Sequence, residues 1–406
     1  MSGAPGGFVF NKKAGHDIVP LMFPVEFNIV YEDFSQNPYP TLSKLRNKAP
    51  ISFVPQLGAI LLSKHEDIFV CEKNTAVFSS VQPDGLMTKL MGQNMMRKDG
   101  KEHKNERHTI FPTVSPKTTQ NVWKQKFIDH TKQILDNFSD QKEIDLVNEF
   151  AKPVSAEALK SITGLTNMTW QEMDRVSQGM IDGCANYTQN KQVEENCHNC
   201  TASIDFHIQK RLEQDLGSDP SLLSVFALKK EEFETISANV KLAISGGQNE
   251  PRDAISGTIA TLLQNPKQLE KLLKGENDWL MAFEEYARWM SPIGMSPRRI
   301  AKDFSYKDFN FFENDRVFLM FGSANRDEDI FETPDEFRLD RDVARSISFG
   351  AGPHFCAGAW ISKTLIAEVA IPMLFEKFPN IKLLSGVEYF GWAFRGPKPF
   401  FVKLKN

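Results

Sequence analysis

The spacing of apolar side chains along the chain predicts a protein that is mainly helical with a small β portion. In the first hundred residues short apolar runs alternate with turn residues. The runs ISFV and AILLS, joined by the turn-like PQLG, predict a β-hairpin at positions 51–63. From about residue 100 to 290 apolar residues recur mostly at helical spacing. The closing segment FFVKLKN alternates as a strand does.

A long helix is predicted near the middle of the chain. Phe233, Ile236, Val240 and Ile244 recur at helical spacing, and the same period resumes further on. The pattern stops just before Pro266, where a helix is expected to end. This central helix contains an unusual glycine and proline segment.

Composition and charge exclude several classes of protein. The 406 residues are 41% hydrophobic and 25% charged, the balance of a globular enzyme with a sizeable core. A formal net charge of −4 gives no case for nucleic acid or an anionic membrane as the main partner. No apolar run reaches 18 residues and the N-terminus lacks a secretory pattern, so we expect a cytoplasmic enzyme. We expect residues 1–30 to be an N-terminal extension and residues 31–406 a single domain.

The five cysteines are too few and too scattered for a disulfide scaffold, which fits a reducing compartment. Cys197 and Cys200 form a C-x-x-C pair, but no second pair accompanies them. Their neighbourhood, KQVEENCHNC, is polar and charged. We therefore expect a solvated helix or loop there and no metal site.

The strongest chemical signal is the segment FGAGPHFCAG at 349–358. Its glycines permit tight turns and close approach to a flat ligand, and a cysteine just before a helix start gains thiolate character. The segment resembles the heme-binding loop of cytochromes P450, F-G-x-G-x-H-x-C-x-G, at every fixed position. The resemblance implies the cytochrome P450 fold, with heme b buried between the central helix and this loop. It also implies an axial bond from Cys356 to the iron, with Phe349 and Gly350 among the heme contacts.

Two further matches to this family lie outside the loop. Glu285 and Arg288 form its E-x-x-R pair, which shares one helix face. The resemblance implies that both bind Arg341 in the segment PDEFRLDR and stabilise the heme-binding core.

The resemblance also implies a set of groups that bind the heme propionates. His103 and Arg107 lie one helical turn apart and therefore on one face. Arg299 and His354 match the other propionate-binding positions. Such cationic or donor groups suit charge-assisted hydrogen bonds to two carboxylates.

The central helix departs from the usual family pattern, because the acidic residue followed by Thr is absent. It reads SGGQNEP at 245–251, in which Gly246 and Gly247 should leave room above the iron and Pro251 should kink the helix. Glu250, with Asn249 or Gln248 and water, is the candidate proton relay. The alternative is that these polar side chains only satisfy the broken helix.

The variant helix resembles that of bacterial P450s that remove methyl groups from ethers, as do the segments RWMSPI (288–293) and GWAFRGP (391–397). Guaiacol-type members clamp a planar ring between phenylalanines, and here only Tyr187 is aromatic around 180–187. Gln248, Asn249 and Ser296 suggest a polar pocket, which favours a substrate that hydrogen-bonds to them. We therefore expect oxidative O-demethylation of 6-O-methyl-D-galactose to D-galactose and formaldehyde, with a guaiacol-type aryl methyl ether as the alternative. The expected pocket residues are Phe78, Leu242, Gly246, Ile293, Ser296 and Phe394.

The resemblance implies an iron-containing oxidoreductase, a monooxygenase that uses O2. No reductase domain is expected in the chain, so electrons should come from a separate ferredoxin or flavodoxin with its NAD(P)H reductase. The carrier is expected to dock on the cysteine side, near Lys101, Lys104, Lys117 and Arg345. Two rival classes remain open: a peroxygenase, which needs no electron partner, and a heme-binding sensor.

Overall fold

The structure, a computed structural model, describes residues 23–26, 29–186 and 189–405. Within these ranges the α-helices are α1 (Tyr31–Gln36), α2 (Tyr39–Lys48), α3 (His65–Lys73), α4 (Leu86–Met91), α5 (Gly100–Val114), α6 (Pro116–Thr118), α7 (Lys124–Asp136), α8 (Lys152–Thr163), α9 (Trp170–Cys184), α10 (Lys191–Leu212), α11 (Leu222–Leu228), α12 (Phe233–Gly247), α13 (Asn249–Gln264), α14 (Pro266–Leu273), α15 (Trp279–Met290), α16 (Phe321–Ala324), α17 (Ala359–Lys363) and α18 (Ile371–Lys377). The strands are β1 (Ile51–Val54), β2 (Ala59–Leu62), β3 (Phe78–Ser79), β4 (Glu143–Asp145), β5 (Ser296–Ile300), β6 (Phe304–Tyr306), β7 (Phe309–Phe311), β8 (Arg316–Leu319), β9 (Lys382–Leu383), β10 (Tyr389–Phe390), β11 (Gly396–Pro397) and β12 (Phe401–Lys403). The fold is mainly α, as the apolar spacing predicts.

The largest sheet in the described ranges has the strand order β1-β2-β8-β5-β3. The predicted hairpin forms its edge, with Val54 opposite Ala59 in antiparallel register. Strand β8 runs parallel to β2, whereas β5 runs antiparallel to both β8 and β3. The predicted final strand is also present, because β12 pairs with β4 and β9.

The central helix lies between two apolar cores. The buried side chains of α13 pack with α15 and with the helical segment 359–377, on which Ile361, Leu365 and Val369 are all buried. Helix α12 packs instead against α9 and α10. Helix α13 ends at Gln264, before Asn265 and Pro266, as predicted.

The C-x-x-C pair lies on α10, but the prediction of a solvated position is wrong. Cys197 and Cys200 are both fully buried against α9. A Cβ atom at Gly179 would lie 2.4 Å from the Cys200 sulfur, and one at Gly183 would lie 2.6 Å from the Cys197 sulfur. The two sulfurs therefore fill gaps left by glycines and help α9 and α10 to approach closely.

Part of the predicted N-terminal extension belongs to the sheet. Val25 pairs with Phe53, and the Glu26 amide donates to the Phe53 carbonyl at 3.1 Å. Residues 1–22, 27 and 28 lie outside the described residues, and so does Tyr187. No helix in the part of the chain that the structure describes is both long and apolar enough to cross a bilayer.

Candidate active site

The loop at 349–358 depends on two glycines with left-handed backbone. Gly350 and Gly352 have φ angles of +73° and +65°. A Cβ atom would lie 3.0 Å from the Glu72 carboxylate at the first and 3.0 Å from Lys73 Cγ at the second. The loop therefore packs directly on α3, which explains why the sequence has glycine at both positions.

Cys356 is held by the backbone of this loop. Its amide donates to the Phe349 carbonyl at 2.8 Å, and the Phe349 ring meets Phe283 edge-on at 6.2 Å. Burial raises the pKa of the thiol, while the amides of Gly358 and Ala359 point at the sulfur and lower it. A metal cation bound to the sulfur would favour its thiolate form.

Donor groups gather on one side of Cys356. The rings of His103 and His354 stack at 4.1 Å, and Arg107 is close enough to lower the pKa of the Cys356 thiol. Burial and the charges of its neighbours lower the pKa of His103 to about 4. His354 Nε2 pairs with Asp99 Oδ1 at 2.8 Å. The predicted His103, Arg107 and His354 thus lie together.

The prediction of Arg299 as the fourth member is wrong by one residue. Successive residues of β5 point to opposite faces, and Arg298 is the one that points inward, with 3% of its surface exposed. Arg299 instead donates to the Val81 carbonyl at 3.1 Å and to Asn314 Oδ1 at 2.9 Å. Sequence reasoning missed Arg298 because two adjacent arginines give no signal of which one faces the interior.

One hydrogen-bond donor of the inward-facing Arg298 has no partner in the described structure. Its Nη1 donates to Ser296 Oγ at 2.5 Å and to the Pro297 carbonyl at 2.9 Å. Its Nε is buried and has no hydrogen-bond partner among the described residues. Ser296, predicted to line the substrate pocket, is therefore engaged with this guanidinium.

The central helix is broken where the sequence predicts. Helix α12 ends at Gly247 and α13 begins at Asn249, with Gln248 between them. Pro251 has no N–H for the Gly247 carbonyl. Ser155 on α8 donates to that carbonyl at 3.3 Å and to the Gln248 carbonyl at 2.8 Å.

The two glycines of the break have different roles. A Cβ atom at Gly247 would lie 2.8 Å from Leu159 Cδ1, so glycine lets α12 pack against α8. A Cβ atom at Gly246 would meet no atom within 4 Å. Gly246 therefore borders open space, and its place in a substrate pocket stays a prediction. The expectation that Gly247 also leaves room above the iron is wrong, because it packs against Leu159.

Glu250, the predicted relay residue, has a buried carboxyl oxygen without a hydrogen-bond partner in the described structure. Burial raises the pKa of its carboxyl to about 8, and Oε2 has no partner in the described structure. Its charge acts on Cys356. Gln248 Nε2 bonds to Asp174 at 3.1 Å, and Asn249 Oδ1 accepts from Arg252 at 2.8 Å. Each amide is only partly satisfied, because Gln248 Oε1 and Asn249 Nδ2 are buried without a hydrogen-bond partner in the described structure. Their roles as relay members or as groups that satisfy the broken helix stay alternatives.

The predicted pocket loses one of its aromatic residues. Phe78 is fully buried in the sheet core, edge-on to Phe304 and Phe311 at 6.0 and 5.5 Å, so its placement in the pocket is wrong. Ile293 and Phe394 pair through an isolated β-bridge and are half-buried. Leu242 is also half-buried and lies one helical turn before Gly246.

The predicted ion-pair group is present beneath the loop. Glu285 accepts from Arg288 at 2.6 and 2.8 Å and from Arg341 Nε at 3.0 Å. The Arg338 amide donates to the same carboxylate at 3.0 Å. Glu285 and Arg288 are essentially fully buried, so their charges are satisfied by each other, by Arg341 and by backbone groups such as the Asn325 carbonyl.

Comparison with known proteins decides the family. The Cytochrome P450 family model matches residues 280–379. The polyketide biosynthesis cytochrome P450 PksS of Bacillus subtilis is 26% identical over 382 residues, which cover 89% of this chain and 93% of that protein. The chain belongs to the cytochrome P450 family. It is a cytochrome P450 monooxygenase, and bacterial members generally use ferredoxin partners and O2.

Other P450s agree in sequence and fold. The biotin biosynthesis cytochrome P450 of B. subtilis is 26% identical and covers 89% of this chain and 93% of its own length. The epothilone D-bound P450epoK structure superposes with a TM-score of 0.84 at 20% identity, covering 94% of this chain and all of that one. P450BioI in complex with an acylated carrier protein gives a TM-score of 0.82 at 23% identity, over 92% of this chain and all of that one.

The cofactor of this P450 is heme b. Three observations fit this cofactor. Cys356 is exposed in the structure and so can bind iron, and Gly246 borders open space. The buried Arg298 Nε has no partner in the described structure. Cys356 would bind the iron, and the donor cluster would hold the propionates. When bound, a thiolate-ligated heme supplies O2 activation by electron donation that favours O–O cleavage. The chain's own part is to exclude water and to position the substrate.

Proposed function

We propose that this P450 catalyses oxidative O-demethylation of a small methyl ether, with 6-O-methyl-D-galactose as the preferred substrate. Hydroxylation of the O–CH3 carbon gives a hemiacetal, which collapses to an alcohol and formaldehyde. In this proposal the enzyme holds the methyl group over the site bordered by Gly246 and Leu242 and keeps bulk water out.

The observation that carries the choice of a sugar is the position of Phe78. A planar aryl ether needs aromatic faces on both sides, but Phe78 is buried in the sheet core. Phe394 is then the only aromatic side chain that remains among the predicted pocket residues within the described ranges. A single ring suits the apolar face of a sugar, which does not need a second aromatic face.

A spectral titration with matched ligands tests the proposal. 6-O-methyl-D-galactose should displace iron-bound water and shift the Soret band at lower concentration than guaiacol or a methoxybenzoate. With a ferredoxin system, its turnover should release one formaldehyde per D-galactose. D-galactose is the control, since it lacks the methyl group and must release none. A shift with guaiacol alone would favour the aryl ether instead.

Phe394 supplies the matched variant. Phe394→Leu removes the ring while keeping apolar volume, so it should weaken the binding of an aryl ether more than the binding of a sugar. Turnover of the substrate with peroxide alone, and none with reductant, would identify a peroxygenase rather than a monooxygenase. Ligand binding without turnover under either condition would leave a heme-binding sensor.

The electron carrier is proposed to bind the outer face of α5. Arg107 on this helix acts on Cys356, whereas Lys101, Lys104 and Phe111 are exposed on the same helix. Together with the predicted Lys117 they form a basic face with an apolar centre, which suits an acidic ferredoxin. Raising the salt concentration should slow reduction by the carrier if this attraction steers binding.

A further inference from the structure

A buried carboxylate on α3 lies where the cysteine loop meets the propionate-binding guanidinium. Glu72 has 1% of its surface exposed. Its Oε2 accepts the amide of Ala351 at 2.9 Å, and its Oε1 faces Arg298 Nη2 at 3.5 Å. The same Oε1 would lie 3.0 Å from a Cβ atom at Gly350. One side chain thus contacts both the loop that holds the thiolate and the strand that holds the guanidinium.

Burying this carboxyl is unfavourable, and its surroundings only partly compensate. Desolvation raises the pKa of Glu72 to about 7, against the opposing effects of Arg298 and the Ala351 amide. A buried acid with an acceptor role at the loop and a charge partner on β5 is costly to place for packing alone. An apolar side chain would fill the same space without that cost.

A second carboxylate beside these groups, that of Asp99, hydrogen-bonds to His354. Asp99 accepts from His354 at 2.8 Å, from Ser79 Oγ at 2.6 Å and from the Ser80 amide at 3.0 Å. His354 is thereby oriented by Asp99, which leaves Arg298 to Glu72. Asp99 therefore holds His354, and Glu72 is the carboxylate that faces the Arg298 guanidinium.

We propose that Glu72 is a positioning residue that fixes the cysteine loop relative to Arg298 and, through its negative charge, sets the affinity and the reduction potential of the bound heme. A fixed negative charge beside the site disfavours the added electron of the reduced iron. Removing the charge should therefore move the reduction potential in the positive direction. Losing the anchor of Arg298 should speed heme loss. The inference holds for any substrate and does not depend on O-demethylation.

The test compares Glu72→Gln and Glu72→Leu with a matched control on the same helix. Gln keeps an acceptor for the Ala351 amide but removes the charge, whereas Leu removes both. The control is Asp67→Asn, because Asp67 is equally buried but bonds to Tyr306 at 2.9 Å and to Lys307, away from the cysteine loop. The holoenzymes are measured at pH 9, where the Glu72 carboxyl is ionised given its pKa of about 7.

Three readouts separate positioning from general stability: the reduction potential, the rate of heme transfer to apomyoglobin, and the absorption maximum of the reduced CO complex. Glu72→Gln should shift the potential positively, raise the heme-transfer rate roughly tenfold and keep the 450 nm maximum. Glu72→Leu should in addition move absorption towards 420 nm as the loop loosens. Asp67→Asn should lower resistance to urea and leave all three readouts unchanged. Wild-type potential and heme-transfer rate in Glu72→Gln would overturn the proposal, and so would equal shifts in Asp67→Asn.

Discussion

The buried carboxyl of Glu250 gives a quantitative prediction about pH. Glu250→Gln replaces an acid by a neutral side chain of almost the same shape. Burial, with a contribution from the nearby Asp253, raises the pKa of Glu250 from 4.5 to about 8. The folded protein therefore keeps this proton at neutral pH, when an ordinary Glu has lost it.

The size of the effect follows from that shift. Below pH 4.5 both folded and unfolded chains hold the proton, so the raised pKa does not reduce stability there. As the pH rises from 4.5 through 8, the unfolded chain releases its proton first, and the free energy of unfolding of the wild type falls. Gln at this position has no proton to release. Between pH 5 and pH 8 the free energy of unfolding of Glu250→Gln should rise relative to wild type by roughly 3–4 kcal/mol.

Urea unfolding of the two holoenzymes at several pH values between 5 and 8 measures this difference, because heme loss is common to both. Glu270→Gln is the control, since Lys274 lowers the pKa of that exposed carboxyl and no such rise is expected. A flat difference between Glu250→Gln and wild type would show that Glu250 ionises normally in the folded protein. In that case it could not hold a proton for delivery at neutral pH. If the reasoning is right, Glu250→Gln should also release more peroxide and less product at pH 7.

Five other substitutions test the site. Glu285→Gln should reduce the free energy of unfolding by about 3–5 kcal/mol in a urea titration, because it leaves buried guanidinium charge uncompensated. Arg298→Leu should speed heme transfer to apomyoglobin, whereas Arg299→Leu should leave the rate near wild type; the opposite order would reverse the assignment of the strand faces. Gly247→Ala should cost about 1–3 kcal/mol by urea unfolding through its clash with α8. Gly246→Ala should be tolerated in that assay and should weaken substrate binding in the spectral titration.

The control for the Glu285 variant is an exposed ion pair in the same segment. Arg338 and Asp340 bond on the surface, with Nη2 to Oδ2 at 3.1 Å. Asp340→Asn should leave the urea midpoint close to wild type, since solvent already screens this pair. A midpoint loss as large as that of Glu285→Gln would indicate a general weakness of the segment rather than a buried-charge effect.

The local parts of the site could be predicted from the sequence, because a short motif fixes them. The cysteine loop and the pair Glu285–Arg288 need only a tight turn and one turn of helix. Parts set by strand register could not be predicted in this way. Arg298 and Arg299 are chemically identical neighbours, and only the pairing of β5 with its neighbours decides which faces inward.

Glu72 shows a signal that could have been used. It follows Ile68 by four residues, so both lie on one face of α3, and Ile68 is fully buried. An acid on the apolar face of a helix indicates a buried partner, although the sequence does not say which. By contrast, Phe78 was assigned to the pocket by resemblance, and its burial depends on how β3 packs against the β6–β7 hairpin.

The break in the central helix depends on both the local sequence and the tertiary packing around it. Pro251 removes one donor, and Ser155 on a different helix supplies the replacement, so the break is satisfied by tertiary packing rather than by the helix itself. Gln248 Nε2 bonds to Asp174 and Asn249 Oδ1 accepts from Arg252, whereas Gln248 Oε1, Asn249 Nδ2 and Glu250 Oε2 are buried without a partner in the described structure. Among these three unpartnered atoms of the break, Glu250 Oε2 alone belongs to an acid, and burial raises the pKa of that carboxyl to about 8, so the prediction of a proton relay rests on Glu250.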